Sequence, residues 1–448
     1  MKENLFPKKP YKTDGGAPVP HRKGTSGEDS QVLPPPALVR LPMQMHIGAP
    51  CTPLVKVGDR VLVGQKIGDS DAPFSAPIHA SVSGEVTEIG EITLGGGARS
   101  LAVTVASDGK MEEIPHIPPK MDTYEDFITA VRECGLVGLG GAGFPTHIKL
   151  RPSADKKIDT LIINGAECEP YLTSDNREIL ENSWDVMSGV YTVKNMLQIH
   201  RVLICIESNK PRAIEVLREI ADSSVDKDDE VRVLALPARY PQGAEKVLIK
   251  AATGREVPPG KLPADVGCIV MNITSISVLS RYIKTGMPLV HKRLTVDGGA
   301  VAHKQNVIVP LGTSVAEVLA HCGLLPEKVG KVMFGGPMMG VALESLDVPV
   351  LKNNNGIIAL SKEEAATSPT TACIRCGRCV AACPMRLYPL RLEKAIARKD
   401  VARMEALDLL TCMECGSCAF VCPAKRPLVQ SMRLGKAILR EEKSKNKK

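Results

Sequence analysis

Apolar residues in this chain fall in short runs, and their period changes along its length. From Leu38 to about Ala106 they alternate with polar residues in brief stretches cut by Gly and Pro, as in "PLVKVGDRVLVGQKIGDSDAPFSAPIHASVSGEVTEI". That pattern predicts short strands and turns, hence a small β domain. From about Met121 to Pro288 helical and β-rich periods alternate. "DTLIINGAE" and "HRVLICIESN" predict strands, while "PRAIEVLREIADSS" and "GAEKVLIKAATG" predict helices, the second closed by Gly254. Strand–helix alternation argues for an α/β layer. From Leu289 to about Pro349, "LTVDGGAV" and "NVIVPLGTSVAEVLAHCGL" predict strands and one helix, and "KVMFGGPMMGVAL" holds a Gly-rich turn. Beyond about Leu351, "LRLEKAIARKDVARMEALDLL" and "LVQSMRLGKAILREE" have helical periodicity. Residues 1–37, rich in Pro, Gly and Lys, read as an irregular arm wrapped on the next domain. The expected division is an arm at 1–37 and domains at 38–107, 108–288, 289–352 and 353–448.

Composition alters this picture little. With 448 residues, 44% hydrophobic and 24% charged, the chain reads as a soluble multidomain protein. Aromatics are only 3%, with a single Trp, so the cores must rest on Val, Ile, Leu, Ala and Met. No run of eighteen apolar residues appears, so no membrane-spanning helix is expected. The start, "MKENLFPKKPYKTDGG", lacks the apolar centre of a signal peptide, which places the expected location in the cytoplasm, with room for peripheral attachment to a membrane protein. The net charge of +7 comes partly from the tail "LREEKSKNKK", read as a solvated end. No basic stretch is interleaved with aromatics, so no nucleic-acid partner is expected.

The cysteines alter it most. Of 14, eight lie between Cys373 and Cys422 in two runs: Cys373-x2-Cys376-x2-Cys379-x3-Cys383-Pro and Cys412-x2-Cys415-x2-Cys418-x3-Cys422-Pro. Both have the spacing of bacterial two-cluster ferredoxins. A tight loop can bring three thiolates to three corners of a cubane; the fourth corner faces away and takes a cysteine from elsewhere. The expected sets are therefore crossed: Cys373, Cys376, Cys379 and Cys422 on one [4Fe–4S] cluster, and Cys383, Cys412, Cys415 and Cys418 on the other. A pair of zinc sites is the alternative, but zinc motifs pair one CxxC with a distant CxxC or His pair. The long helical linker between the runs predicts an α-helical ferredoxin module. Cys51, Cys134, Cys168, Cys205, Cys268 and Cys322 stand alone and are expected to be small buried hydrophobes.

One stretch remains, "GLVGLGGAGFPTHIKL" at 135–150. So many glycines cost backbone entropy unless the chain needs positive φ or the close approach of another group. A phosphate loop and a plain tight turn both satisfy that. The order helix, glycines, strand is not the strand–GxGxxG–helix order of the dinucleotide fingerprint, so a standard Rossmann domain is disfavoured. Iron–sulfur clusters move single electrons, and a two-electron donor feeding them needs a converter such as a flavin.

Four resemblances bear on this. "VKVGDRVLVGQKIG" and "APIHASVSGEV" look like the two halves of a lipoyl-type barrel-sandwich domain, although "DSDAPFSAPIHASVS" lacks the carrier lysine, which implies a docking module. "GLGGAGFPTHIK" resembles the Gly-rich loop of the NADH- and FMN-binding subunit of respiratory complex I, as do "INGAECEPYLTSDNRE", "YPQGAEK" and "VMNITSIS" after it. The whole chain is more similar still to the RnfC family, the C-type subunits of the Rnf electron-transport complexes, through "MHIGAP", "SAPIHASVSGEV", "NGAECEPYLTSD", "YPQGAEKVL", "TGREVPPGKLP" and "GGPMMG". The cobalamin reductases share the flavin and cluster parts but place the flavin region first.

The Rnf resemblance implies a multidomain α+β and α/β chain. It would comprise a lipoyl-like barrel-sandwich domain, a complex-I-type FMN/NADH domain, a β-grasp (SLBB-like) domain and an α-helical two-cluster ferredoxin domain. Gly138, Gly140, Gly141 and Gly143 would let backbone close on FMN and NADH, Phe144 would stack on a ring, and Lys149 would balance negative charge. Asn164, Glu167, Asn272 and Ser275 would bond flavin or its ribityl chain. Glu169, Tyr240, Gly243 and Glu245 would complete the cofactor and nucleotide site. No side chain acts as a catalyst in this reading; hydride passes between nicotinamide and flavin. The implied partners are NADH or NAD+, the other Rnf subunits, and ferredoxin through one of those subunits, at the cytoplasmic face of the membrane, coupled in the whole complex to Na+ or H+ transport. A cobalamin reductase and an iron–sulfur relay with an inactive nucleotide site are the alternatives.

Overall fold

The computed structural model describes residues 7, 9–223 and 230–445; part of the expected arm (1–6 and 8) and the last residues of the basic tail (446–448) lie outside them. The short alternating runs after Leu38 form two small antiparallel sheets. One joins Leu38–Pro42, Arg99–Ser107, Gly84–Thr93 and Arg60–Val61, and the other joins Thr52–Pro53, Lys66–Asp69 and Ile78–His79. Val39, Leu41, Val61, Ile67, Ile78, Val86, Val103 and Val105 are buried in this barrel-sandwich with Met43, Met45 and Cys51, so its core is built without aromatic rings.

The α/β region is a four-stranded parallel sheet in the order Glu230–Leu236, Arg201–Glu207, Thr160–Gly165, Cys268–Asn272. Its strands are apolar at consecutive positions because both faces are covered. Leu161 and Ile163 pack on one side with Val186, Val190 and Ile276. Ile162 and Leu203 pack on the other with Leu248 and Ala252. Asn164 and Asn272 are register partners at the carboxyl ends of adjacent strands, where open parallel sheets bind ligands.

The third unit is a six-stranded mixed sheet ordered Gln31–Val32, Gln305–Pro310, His291–Asp297, Gly356–Ser361, Val329–Phe334, Val341–Ala342, with the helix Val315–His321. This corrects two expected boundaries. Gly356–Ser361 lies in the middle of this sheet, paired on both edges, so the break at 352 is too early. The arm is not wholly irregular either, since Gln31–Val32 adds an edge strand.

The cluster region is helical, as its periodicity predicts. Pro389–Ala397, Val401–Ala406 and Leu428–Lys445 pack through Leu392, Ile396, Met404, Leu409, Met432 and Leu439. The linker is two helices rather than one. The chain turns at Lys399, φ 54°, and the Asp400 carboxylate accepts the Arg403 N–H, starting a new helix.

Candidate functional site

The glycine stretch lies between the helix Tyr124–Glu133 and the four-residue helix Thr146–Lys149, with the strand Thr160–Gly165 after it. It is a loop closed on itself, Gly138 N–H donating to Phe144 O (2.9 Å) and Thr146 N–H to Leu136 O (3.1 Å), with Gly135 and Gly143 at positive φ. Its carbonyls are tied down by other elements. Ser275 Oγ donates to Val137 O (3.3 Å), Lys292 Nζ to Leu139 O (3.4 Å), Asn353 Nδ2 to Gly141 O (3.0 Å) and Ile47 N to Gly143 O (3.0 Å). Among the described residues, no protein acceptor receives the N–H groups of Gly140, Gly141, Ala142 and Gly143. Each trans peptide points its N–H opposite its C=O, so anchoring the carbonyls turns donors toward the free side. A Cβ on Gly140 would sit 2.5 Å from Asn272 Nδ2, whereas one on Gly141 would meet nothing within 4 Å. The loop therefore offers unaccepted N–H donors, with open space at Gly141. A planar, acceptor-rich and phosphorylated molecule such as FMN fits that donor set.

The other expected residues separate into two groups. At the open edge, Lys149 donates to Glu245 Oε2 (3.3 Å) and Val270 O (3.0 Å). Asn164 Nδ2 donates to Gly243 O (2.9 Å), and Gly243 must lack a side chain because a Cβ would fall 2.1 Å from Ala166 O. The remaining residues support rather than face the loop. Ser275 lies beneath it, its hydroxyl accepting Leu139 N–H (3.1 Å). Asn272 caps the helix Ile273–Thr285 through Ser275 N–H and donates to Asp175 Oδ2 (2.9 Å). Glu167 is buried and spends its carboxylate on Asp175 N–H, Asn176 N–H and Ser174 Oγ, at the start of the helix Ser174–Glu181; burial raises its pKa. Phe144 packs edge-on against Phe74 (5.9 Å, 80°), which stands at the barrel's lysine-free turn. That turn is thus docked on the glycine loop.

Glu169 and Tyr240 stand elsewhere, at the seam with the cysteines. Glu169 accepts the N–H groups of Met338 (3.0 Å) and Met339 (2.9 Å) in "GGPMMG", and burial raises its pKa to about 7. Tyr240 donates its hydroxyl to Cys415 O (2.5 Å). The arm closes the same seam: Ala17 N–H bonds Tyr240 O (2.8 Å), Gly16 N–H bonds Ala382 O (2.9 Å), and Gly15 lies against the Cys383–Pro384 backbone.

The two cysteine runs fold alike. Arg375 and Gly377 have φ 57° and 77°, and Glu414 and Gly416 have φ 59° and 80°. These left-handed residues curl each run, and Arg375 and Glu414 donate their N–H to Cys373 and Cys412 Sγ (3.4 Å each). Cys383, Cys412, Cys415 and Cys418 line one cavity with Pro384 and Met413. Burial, together with the neighbouring thiols Cys415, Cys412 and Cys383, pushes Cys418 up to about 12. Cys379 has Cys422 as its thiol neighbour, and Cys422 and Cys373 both flank Arg426. Cys383 therefore lies with three sulfurs of the other run and Cys422 lies near Cys379, as crossed sets would require, and a cavity ringed by soft donors fits a cubane cluster. The first set is the more open: Cys373 and Cys376 are exposed, whereas Cys415 is 7% exposed.

Three lysines that bond backbone carbonyls, Lys292 and Lys352 buried and Lys23 partly so, were not among the expected site residues. Lys23, from the arm, donates to Glu167 O, Glu169 O and Leu172 O; burial lowers its pKa. Lys352 joins barrel to loop through Pro77 O (2.6 Å) and Gly135 O (2.7 Å), and Lys292 reaches under Leu139; burial lowers both to about 8. Lys292 and Lys352 are marked in the sequence only by charge inside apolar runs, "LVHKRLTV" and "VPVLKNNNG", whereas Lys23 stands in the polar "HRKGTSG".

Three family models match the chain: the RnfC barrel sandwich hybrid domain at residues 11–110, the Nuo51 FMN-binding domain at 131–281, and a 4Fe–4S dicluster domain at 372–425. The C-type subunit of the proton-translocating ferredoxin:NAD(+) oxidoreductase complex of Clostridium ljungdahlii is 44% identical over 425 residues, 94% of this chain and 92% of that protein. Its Na(+)-translocating counterpart from Acetobacterium woodii is 42% identical over 428 residues, 94% and 96% of the two chains. The corresponding subunit of the ion-translocating oxidoreductase complex of Rhodobacter capsulatus is 40% identical over 446 residues, 98% and 85%. Among solved structures, an NAD+-reducing [NiFe]-hydrogenase in the H2-reduced state matches with a TM-score of 0.50 at 19% identity, over 71% of this chain and 61% of that one, a likeness of fold alone.

Proposed function

The chain belongs to the RnfC family of the ion-translocating ferredoxin:NAD+ oxidoreductase (Rnf) complexes, and from that premise we propose that its glycine loop seats FMN beside the NADH site, with the two cysteine sets leading electrons away from it. As a subunit of that oxidoreductase it works with the other Rnf subunits, with NAD+/NADH and ferredoxin as the substrates of the complex and Na+ or H+ as the ion moved. When bound, FMN exchanges a hydride with the nicotinamide and single electrons with the clusters.

This chain's own residues supply the setting. The N–H groups at Gly140–Gly143 bind the acceptor-rich edge of the flavin or its phosphate. Lys149 holds a positive charge at the rim, fixed by Glu245. Ser275 and Asn272 hold the loop flat from beneath. Tyr240 joins this domain directly to the second cysteine set, and Glu169 joins it to the Met338–Met339 turn beside that set, which makes that set the one nearer the flavin and leaves the exposed first set for another Rnf subunit. Among the described residues no helix is long and apolar enough to cross a membrane, and attachment at the cytoplasmic face through the other subunits is the location we propose.

The unaccepted N–H groups from Gly140 to Gly143, with open space at Gly141, carry this reading. Anaerobically reconstituted full-length protein is expected to bind FMN and to reduce ferricyanide with NADH. Protein with its iron complete that binds no flavin and reduces no ferricyanide would be a relay with a dead nucleotide site, which refutes the proposal.

A further inference from the structure

Lys292 anchors the Leu139 carbonyl, but that bond leaves its charge unexplained. It lies on the strand His291–Asp297 of the third unit and is 3% exposed, yet its ammonium passes under the glycine loop of the second. Its one hydrogen bond there is to Leu139 O at 3.4 Å, and among the described residues no carboxylate lies within 4 Å of it. The acids around it are engaged elsewhere. Asp175 receives Asn272 Nδ2 and Thr274 Oγ1, Glu178 receives Arg281, Arg293 and Ser277, and Glu167 receives Ser174 and two backbone N–H groups. Its neighbour Arg293 pairs with Glu178 and Glu181. A buried ammonium with no carboxylate of its own is costly to keep, and buried charges are ordinarily paired. Burial lowers its pKa to about 8, while the nearby carboxylates of Asp175 and Glu178 pull the other way and favour the charged form.

The peptide it touches is also particular. Leu139 C=O and Gly140 N–H belong to one trans peptide and point in opposite directions. With the carbonyl drawn down to Lys292, the Gly140 N–H faces the free side, where no protein acceptor meets it. A cation at the carbonyl oxygen polarises the peptide and strengthens that donor. Ser275 Oγ fixes the preceding N–H, so the peptide cannot flip.

We propose that Lys292 is a positioning residue for the flavin: it fixes the Leu139–Gly140 peptide from beneath with its N–H outward, and its charge, relayed through that peptide, favours the electron-rich reduced flavin over the oxidised one. This rests on the glycine loop being the flavin seat. The third unit is then an electrostatic component of the redox site and more than a neighbour to it.

The test uses full-length protein reconstituted with FMN and iron–sulfur clusters, comparing wild type with Lys292→Met, which keeps the volume, and Lys292→Gln, which keeps a donor without the charge. FMN affinity is read by fluorescence quenching and the flavin midpoint potential by anaerobic potentiometric titration at pH 7, with cluster absorbance and thermal unfolding as folding controls. Lys292→Met is expected to bind FMN about tenfold more weakly. Both variants are expected to lose about tenfold of the preference for reduced over oxidised flavin, a fall of about 30 mV for a two-electron couple. A wild-type potential in folded Lys292→Gln overturns the proposal even if Lys292→Met fails to fold. Gly141→Leu, which fills the open space above the loop, separates the two levels. If Gly141→Leu binds FMN as wild type does, the seat itself is wrong and the role of Lys292 falls with it. If Gly141→Leu loses FMN while both Lys292 variants keep the wild-type potential, only the role of Lys292 is wrong.

Discussion

Gly140 and Gly141 are neighbours in one loop, and they should respond to side chains in opposite ways. In Gly140→Ala the new methyl lands 2.5 Å from Asn272 Nδ2, so Asn272 must leave. It then gives up its bond to the Asp175 carboxylate, worth about 1.5–3 kcal/mol, and its cap on the helix Ile273–Thr285, worth ~1 kcal/mol. A loss of roughly 3 kcal/mol corresponds to about a hundredfold more frequent opening. Hydrogen exchange read by mass spectrometry should show it as about two decades less protection across Ile273–Thr285, while the barrel strands stay unchanged. In Gly141→Leu the side chain enters empty space at a residue without positive φ, so protection should stay within about twofold of wild type, the small change usual for exposed sites. Its FMN affinity should fall by about five- to hundredfold, the steric cost of a methyl-rich group where a flat ring must lie being about 1–3 kcal/mol. Undiminished protection in Gly140→Ala would refute the packing account of the loop. Wild-type FMN affinity in Gly141→Leu would refute its account as a cofactor seat.

Two further outcomes test the rest of the molecule. Cys383→Ala should lower the iron content by up to half and remove the signal of the cluster held by Cys412, Cys415 and Cys418, leaving the other in electron paramagnetic resonance; loss of the Cys373, Cys376, Cys379 cluster instead would refute the crossed assignment. Glu178 is held at about 2, against an ordinary 4.5, by Arg281 and Arg293 despite its burial. Its stabilisation is present above pH 4.5 and is lost as the pH falls toward 2, on the order of 3 kcal/mol in all, so Glu178→Gln should flatten the fall in urea midpoint between pH 5 and pH 3 and lower stability at pH 7.

The features that the sequence disclosed are local ones. The cysteine runs were legible because ligand spacing and left-handed turns are set within a dozen residues, and the barrel and parallel sheet because periodicity records which faces are covered. The failures are non-local. "GIIALS" is a short apolar run that reads equally as the end of one domain or the start of another, and only its pairing with His291–Asp297 and Val329–Phe334 places it. Glu167, Ser275 and Phe144 have the residue types that touch cofactors, yet a helix terminus, a loop carbonyl and the barrel's Phe74 engage them first. Lys292 gave no signal beyond being charged in an apolar strand, because its target lies 153 residues away.

That distance problem is greatest for the arm. Gly16 bonds Ala382, Arg22 bonds Glu364, Ala17 bonds Tyr240, and Lys23 gathers three carbonyls between Glu167 and Leu172. A chain grows from its N-terminus and its domains fold as they emerge. The arm therefore leaves the ribosome well before its docking surface exists, since its contacts at Ala382 and Cys383 lie more than 350 residues further along the chain. The seam between the flavin domain and the second cysteine set is thus completed by residues from opposite ends of the described chain, Ala17 and Val19 packing with Tyr240 and Cys415.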